Sequence, residues 1–422
     1  MKIRNRLILV TSIVLAVLST ANSGHGKQSP SLAADIPPTP SAQASDQIVD
    51  AKLVAANTKL SFKLFSQILK QQPDENIFIS GASVAMSLDI AYNGASGQTQ
   101  QAIAQTLELQ GMSLQEINQA NASLKATLET LDPNVHVSIA NSLWAAQNKP
   151  FNPDFIQKIQ SFYSAQVTNL DFGAPGASNI INDWVKQSTN GKIDNIVDQI
   201  GSDTVFVLLN AIYFKGNWTE PFPKNTTKEY PFTLPNGTQK QHPMMFHEFS
   251  DVAYYQNELF QVVELPYTER RLSMYIFLPN REISLQTFYK SLTAENWATW
   301  MNQLEMNKTG DLSRETLIGL PRFKLEYSID LKEALEALGM KIAFTKYADF
   351  SAMSSSQLSI DKVKHKAFVE VNEQGTEAAG VTEVSFTRGG NQMIIDHPFF
   401  FAIRDNQTGT LLFLGSIVEP IE

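Results

Sequence analysis

The sequence predicts a mixed α/β chain of the α+β kind, and three observations carry that expectation. Val205-Phe206-Val207-Leu208-Leu209-Asn210-Ala211-Ile212-Tyr213-Phe214 is almost unbroken in its apolarity, which suits a strand covered on both faces in the middle of a sheet. Leu53, Ala56, Leu60, Leu64 and Ile68 recur at three- and four-residue spacing, the pattern of a helix with one buried face. Phe260 to Leu278 divides into two apolar runs that read as the strands of a hairpin. A chain of 422 residues can bury such a core without covalent help. Its complete lack of cysteine therefore removes disulfides, and any lipid-modified N-terminal cysteine, at no cost to the fold.

At the N-terminus, Lys2, Arg4 and Arg6 precede an apolar run from Leu7 to Leu18, and small residues follow at Ser19-Thr20-Ala21 or Ala21-Asn22-Ser23. This is signal-peptide chemistry. The run is shorter than the roughly twenty residues of a membrane-spanning helix. Residues 1–23 are thus expected to be a cleaved leader, and the mature protein to be secreted or extracytoplasmic, periplasmic or extracellular. Residues 24–47 are rich in Ser, Pro, Ala and Gln, with the run Ile36-Pro37-Pro38-Thr39-Pro40, and read as a flexible spacer. The folded part, 48–422, is expected to be a single domain.

Within it, Asn76-Ile77-Phe78-Ile79-Ser80-Gly81-Ala82-Ser83 runs into Met86, Ala91 and Asn93-Gly94-Ala95-Ser96-Gly97-Gln98-Thr99, a short strand leading into a buried helix. Gly81-Ala82-Ser83-Val84-Ala85 is a near miss to the nucleophile elbow of hydrolases, lacking its last glycine. Residues 179–197 hold a helix, Ile180-Ile181-Asn182-Asp183-Trp184-Val185, that ends in Thr189-Asn190-Gly191-Lys192-Ile193. Trp184 and Trp218 read as core aromatics. His242 and His247 could be proposed as metal ligands, but a strand does not bring an i, i+5 pair to one face. Pro321-Arg322-Phe323-Lys324-Leu325 reads as one strand. Asp330 with Glu333 looks like a capping box that opens a helix, Gly339 ends it, and Leu411 to Gly415 supplies a buried C-terminal strand.

The stretch that organises the rest is Val369 to Gln392. Strand-like alternation gives way at Asn372-Glu373-Gln374-Gly375 to a long segment of small residues, and loops of more than about twelve residues are usually functional or disordered. The segment still keeps a period of two. Thr376, Ala378, Gly380, Thr382, Val384 and Phe386 share one face of a would-be strand, with Glu377, Ala379, Val381, Glu383 and Ser385 on the other. Both glutamates fall on a single face, so the segment could join a sheet without burying a charge.

Gly375-Thr376-Glu377-Ala378-Ala379, preceded by His365-Lys366-Ala367 and followed by Asp396-His397-Pro398-Phe399-Phe400-Phe401, resembles the reactive-loop hinge and C-terminal signature of the serpins. The turns at 93–99 and 189–193, Lys215-Gly216-Asn217-Trp218 and Ala348-Asp349-Phe350-Ser351 extend the resemblance through most of the chain. It implies a large, mainly antiparallel central sheet with further sheets, about eight to nine helices and an exposed reactive loop at about 373–392. The usual proline after the first serine is Gly81 here, which is expected to loosen that turn.

The resemblance also implies a function, inhibition of serine proteases by a trap in which the cut loop enters the main sheet as a strand. The hinge would be Glu373, Gly375, Thr376, Glu377, Ala378, Ala379 and Gly380, and the sheet-opening polar cluster Ser80, Ser83, Asn210 and His365. Counting along the family's loop from either end gives Gly389 or Thr387 as the last residue before the scissile bond. Arg388 lies between them and would fill a trypsin-like pocket, so Arg388-Gly389 is the expected bond, with Phe386 and Thr387 open as chymotrypsin-like and elastase-like alternatives. A non-inhibitory serpin, a carrier or chaperone, is the alternative reading.

A formal net charge of -9 with no basic stripe argues against nucleic acid. Residues 113–131 contain Lys125 as their one base, so no glycosaminoglycan cofactor is expected, and no other cofactor or metal. A hydrolase would need a nucleophile beside a base, and none of the six histidines stands in a recognised triad context. The protein is expected to be a monomer that is no enzyme and whose partner is a serine protease.

Overall fold

The computed structural model describes residues 49–130, 134–308, 315–374 and 390–422. The expected leader and spacer lie outside the described residues, as do 375–389. In chain order the elements begin with α1 (Ala51–Gln71), β1 (Ile77–Ile79), α2 (Gly81–Gly94), α3 (Gly97–Thr106), α4 (Leu114–Glu129) and β2 (Val135–Ala146). There follow α5 (Pro153–Tyr163), β3 (Gln166–Leu170), α6 (Ala177–Ser188), β4 (Phe206–Gly216), β5 (Lys228–Thr233), β6 (Gln239–Phe249) and β7 (Tyr254–Gln256). Next are β8 (Phe260–Pro266), β9 (Leu272–Pro279), α7 (Leu285–Ser291), α8 (Ala294–Lys308), β10 (Thr316–Pro321), β11 (Phe323–Asp330) and α9 (Lys332–Leu335). The chain closes with β12 (Ile360–Val371), β13 (Asn391–Ile394), β14 (Phe399–Asp405) and β15 (Leu411–Ile417).

These strands make three sheets, ordered β1-β15-β14-β9-β8-β7, β13-β10-β6-β5 and β11-β12-β4-β2-β3. Most neighbours are antiparallel, as expected of this mixed α/β fold. In the five-stranded sheet, however, β12 runs parallel to β4, in register from Ile360 opposite Phe206 to Val369 opposite Phe214. The apolar run that became β4 lies between β12 and β2 and is buried along nearly its whole length.

Helix α1 buries Leu53, Leu60, Leu64 and Ile68 completely, and the Asp50 carboxylate caps its first turn by accepting from the Lys52 amide at 2.7 Å. Helix α2 is covered all round, as an apolar helix in a large core must be. Gly81 does not loosen its start. Ser80 caps the helix in the ordinary way, and a Cβ at Gly81 would lie 2.0 Å from Ser61 Oγ, so the glycine lets α1 and α2 meet. Further along α2, Asn93 and Asn118 of α4 exchange amide hydrogen bonds at 2.8 and 2.9 Å, and Tyr163 of α5 donates to Asn118 at 2.7 Å. Beside them Asn121 donates to a fully buried Asp89 at 2.8 Å.

Three local expectations are corrected. Pro321 to Leu325 is not one strand, since β10 ends at Pro321, β11 starts at Phe323, and the two belong to different sheets with Arg322 at the corner. Asp330 ends β11 and its carboxylate accepts from the Lys332 amide at 3.2 Å and the Val363 amide at 3.4 Å, so no capping box forms. Gly339 (φ 115) does not end the helical segment. It lies in a widened turn, Glu336–Met340, after which the chain continues as a 3-10 turn, Lys341–Phe344. At the far end of the expected loop, Asn391 and Gln392 are already in β13, paired with Thr316 and Leu317.

Candidate functional site at the β4–β12 seam

Strand β12 ends at Val371, directly before the segment singled out in the sequence, and its last residues are held by neighbours from three directions. Trp218 donates its indole N–H to the Asn372 carbonyl at 2.9 Å, and the Phe222 amide donates to the Glu373 carbonyl at 2.9 Å. The Glu373 side chain, 4 % exposed, accepts from Arg322 Nε at 2.8 Å, from Arg322 Nη2, and from Thr227 Oγ1 at 2.5 Å. Burial pushes this carboxyl up, but the Arg322 and Thr227 hydrogen bonds outweigh it and hold the group below the usual glutamate range. Trp218 is buried, as expected of a core aromatic, and it also grips the base of the loop. Arg322 and Thr227 were not visible as site residues in sequence, for nothing local in either stretch marks them.

Halfway along the seam lies a buried polar cluster. His365 sits opposite Asn210 in the β12–β4 register, and Ser80 and Ser83 begin α2 beneath them. The Ser80 amide donates to His365 Nε2 at 3.1 Å, so Nε2 carries the lone pair and Nδ1–H donates to Asn210 Oδ1 at 2.7 Å. Burial pushes the His365 pKa down to about 3, which keeps the ring neutral in this tautomer. Asn210 Nδ2 donates at 2.6 Å both to Ser83 Oγ and to Asn141 Oδ1, and Ser80 Oγ accepts from the Ser83 amide at 3.2 Å. The fold thus brings together all four residues expected here and adds Asn141 of β2. Nothing in the sequence marks Asn141, because His136, Ser138 and Ser142 make it one of several polar residues in its strand.

Both ring nitrogens of His365 are committed to Ser80 and Asn210, so His365 is not placed as a base for Ser83. What the cluster can do is exchange partners, because separating β12 from β4 breaks the His365–Asn210 bond while Ser80, Ser83 and Asn141 remain on the other elements. His242 faces the Arg322 carbonyl at 2.6 Å and His247 faces Glu220 at 2.7 Å. Among the described residues no group of three or more His, Cys, Asp or Glu is placed to hold a metal. Of the expected hinge and scissile residues, Glu373 alone is described; Gly375 to Gly380, Phe386, Thr387, Arg388 and Gly389 lie outside the described residues.

A protein-family model described as serpin (serine protease inhibitor) matches residues 55–420. The chain is 36 % identical over 383 residues to the leukocyte elastase inhibitor of Bos taurus, covering 87 % of this chain and 100 % of that one. It is 37 % identical over 379 residues to serpin B8 of Homo sapiens, covering 87 % and 99 %. Human glycosylated kallistatin superimposes with a TM-score of 0.81 at 28 % identity, covering 88 % of this chain and 98 % of that one. A thermophilic serpin, tengpin, in the native state gives 0.78 at 31 % identity, covering 88 % and 95 %.

These matches correct the expected localisation. The leukocyte elastase inhibitor and serpin B8 are spanned almost end to end by 87 % of this chain, and such relatives are intracellular and lack a leader. No helix among the described residues is long and apolar enough to cross a membrane.

Proposed function

The chain belongs to the serpin family, and from that premise we propose that it inhibits serine proteases by being cut within 375–389 and closing that segment, as a strand, between β4 and β12. The observation that carries this reading is the parallel seam itself. In an antiparallel-rich fold, β12 leads straight into the segment, and a strand turning back from its end would run antiparallel to both neighbours. One parallel ladder is then replaced by two antiparallel ones, which are slightly more stable per residue. Such a native state is kept by a barrier rather than by being lowest in free energy.

The first residues to enter, Thr376, Ala378 and Gly380, are small and uncharged, and Glu377 and Glu383 would stay on the outer face. The proposed bond is Arg388-Gly389, which matches a trypsin-like target; Phe386 and Thr387 are the alternative positions. The protease serine oxygen attacks the Arg388 carbonyl, an ester forms, and the Gly389 amine leaves with a proton. Separation of the new chain ends then carries the ester away before water can reach it. This chain supplies no catalytic group, and Ser80, Ser83, Asn210 and His365 govern the opening.

Incubation with trypsin, chymotrypsin and elastase, followed by denaturing electrophoresis and mass spectrometry of the released C-terminal peptide, tests the reading. A covalent complex with a peptide beginning at Gly389 supports both trap and bond. Cleavage without complex, and without a rise in thermal stability, moves the chain to the non-inhibitory members of the family.

A further inference from the structure

The end of the seam farthest from the loop carries a contact that the sheet does not require. The β12–β4 register slips by one residue between Ile360 and Lys362, so that Asp361 is the extra residue of a bulge in a parallel ladder, where bulges are rare. A bulge ordinarily leaves its extra residue unpaired and disrupts the ladder locally. Here the Asp361 side chain turns across the seam, and its Oδ2 accepts from the Val205 amide at 2.5 Å and from the Phe206 amide at 3.1 Å. Val205 immediately precedes β4 and Phe206 is its first residue, so the two contacts tie this end of β4 to β12.

We propose that Asp361 is a positioning residue that clasps the lower end of the β4–β12 seam and sets the rate of the last stage of strand insertion. The inference rests on the insertion reading above. A segment leaving β12 at Val371 reaches the Ile360 end last, after Glu373 has released Arg322 and His365 has released Asn210. At that point the incoming strand must part β12 from β4, and the carboxylate must surrender both amides together. The clasp acts only while β4 and β12 are neighbours, so it belongs to the uncleaved form and has no counterpart once a strand lies between them. Asparagine at this position keeps an oxygen that can accept both hydrogen bonds, whereas alanine keeps none.

The test uses the full chain as wild type, Asp361→Ala and Asp361→Asn, each before and after loop cleavage by trypsin. Expected for Asp361→Ala are a melting midpoint lowered by a few degrees in the uncleaved form alone, and insertion after cleavage, followed by tryptophan fluorescence, about tenfold faster, the scale of losing the two amide hydrogen bonds. Asp361→Asn should return both quantities to wild-type values. Equal losses of stability in cleaved and uncleaved Asp361→Ala, an unchanged insertion rate, or failure of asparagine to restore it would each overturn the proposal. If Asp361→Ala does not fold, hydrogen exchange in uncleaved wild type decides. Val205 and Phe206 amides protected like the interior of β4 support the clasp, and free exchange there overturns it. A wild type that gains no stability on cleavage rejects the insertion reading itself, whichever way the Asp361 variants behave before cleavage.

Discussion

Arg322 Nε stands 2.8 Å from Glu373 Oε1, and this pair joins the corner between two sheets to the first residue of the loop base. Because Arg322 lies where β10 passes into β11, the contact ties the loop base to both the four-stranded and the five-stranded sheets. Arg322→Ala leaves the nearly buried Glu373 carboxylate with Thr227 as its remaining side-chain donor among the described residues. The uncleaved form is expected to lose about 1–3 kcal/mol, read from urea unfolding, while the loop-cleaved form is unchanged. The Glu373 pKa is held below its usual value, so its contribution is present above the unfolded glutamate range and lost as pH falls through the folded value. Wild type should therefore lose stability on acidification in a way that Glu373→Gln does not, and an equal acid loss in both would remove Glu373 from this role.

Thr376→Arg addresses the proposed hinge. An arginine at the first inward position would have to be buried without a partner as the strand enters, at a cost of several kcal/mol. The variant should be cut by the target protease as readily as wild type and yet release it, with the yield of denaturant-stable complex falling to a small fraction. An undiminished yield would be incompatible with insertion of this face.

How much of this was legible in the sequence follows the range of each interaction. The β4 run announced a central strand because burial on both faces leaves no polar alternation to hide it, and the polar cluster was reachable because its members stand in recognisable segments. Arg322 was misread as the interior of a strand, since Phe323 and Leu325 beyond it alternate like strand residues and the break that Pro321 signals does not show that the chain changes sheets. Its partner lies 51 positions away, beyond any periodicity. Asp361 is equally silent, because a bulge is a relation between two strands and has no signature in one of them.

Asp89 gives a pH dependence of its own. It is fully buried, one oxygen accepts from Asn121, and the other oxygen and Asn121 Oδ1 both lack a partner among the described residues. Burial raises its pKa from 3.8 to about 7, against a smaller lowering by Asn121. Between those values the native state holds a proton that the unfolded chain has lost, so stability is highest in acid and falls as pH rises through the window, by about 4 kcal/mol in total. Asp89→Asn should keep the shape, remove that fall and make the protein more stable at pH 8. A variant no more stable than wild type there would show that Asp89 is ionised without penalty.

His365 has the opposite sign. Its pKa is pushed from 6.5 down to about 3 by burial, so between those values the unfolded chain binds the proton and the native state does not. Its contribution is complete above pH 6.5 and is lost as pH falls. Asp89 and His365 therefore act against each other from about pH 5 to 6.5, above the range in which Glu373 titrates, each with a slope of about 1.4 kcal/mol per pH unit. Wild-type stability should be nearly flat across that interval, and single substitutions should expose what the balance conceals. Asp89→Asn leaves His365 unopposed, and urea midpoints should climb with pH; His365→Gln leaves Asp89 unopposed, and they should decline. The double variant should be flat again, because two groups with no shared hydrogen bond contribute additively. A slope that survives in the double variant would place the titration on a third group, and the neutral His365 tautomer that holds Ser80 to Asn210 would then no longer account for the acid behaviour of the seam.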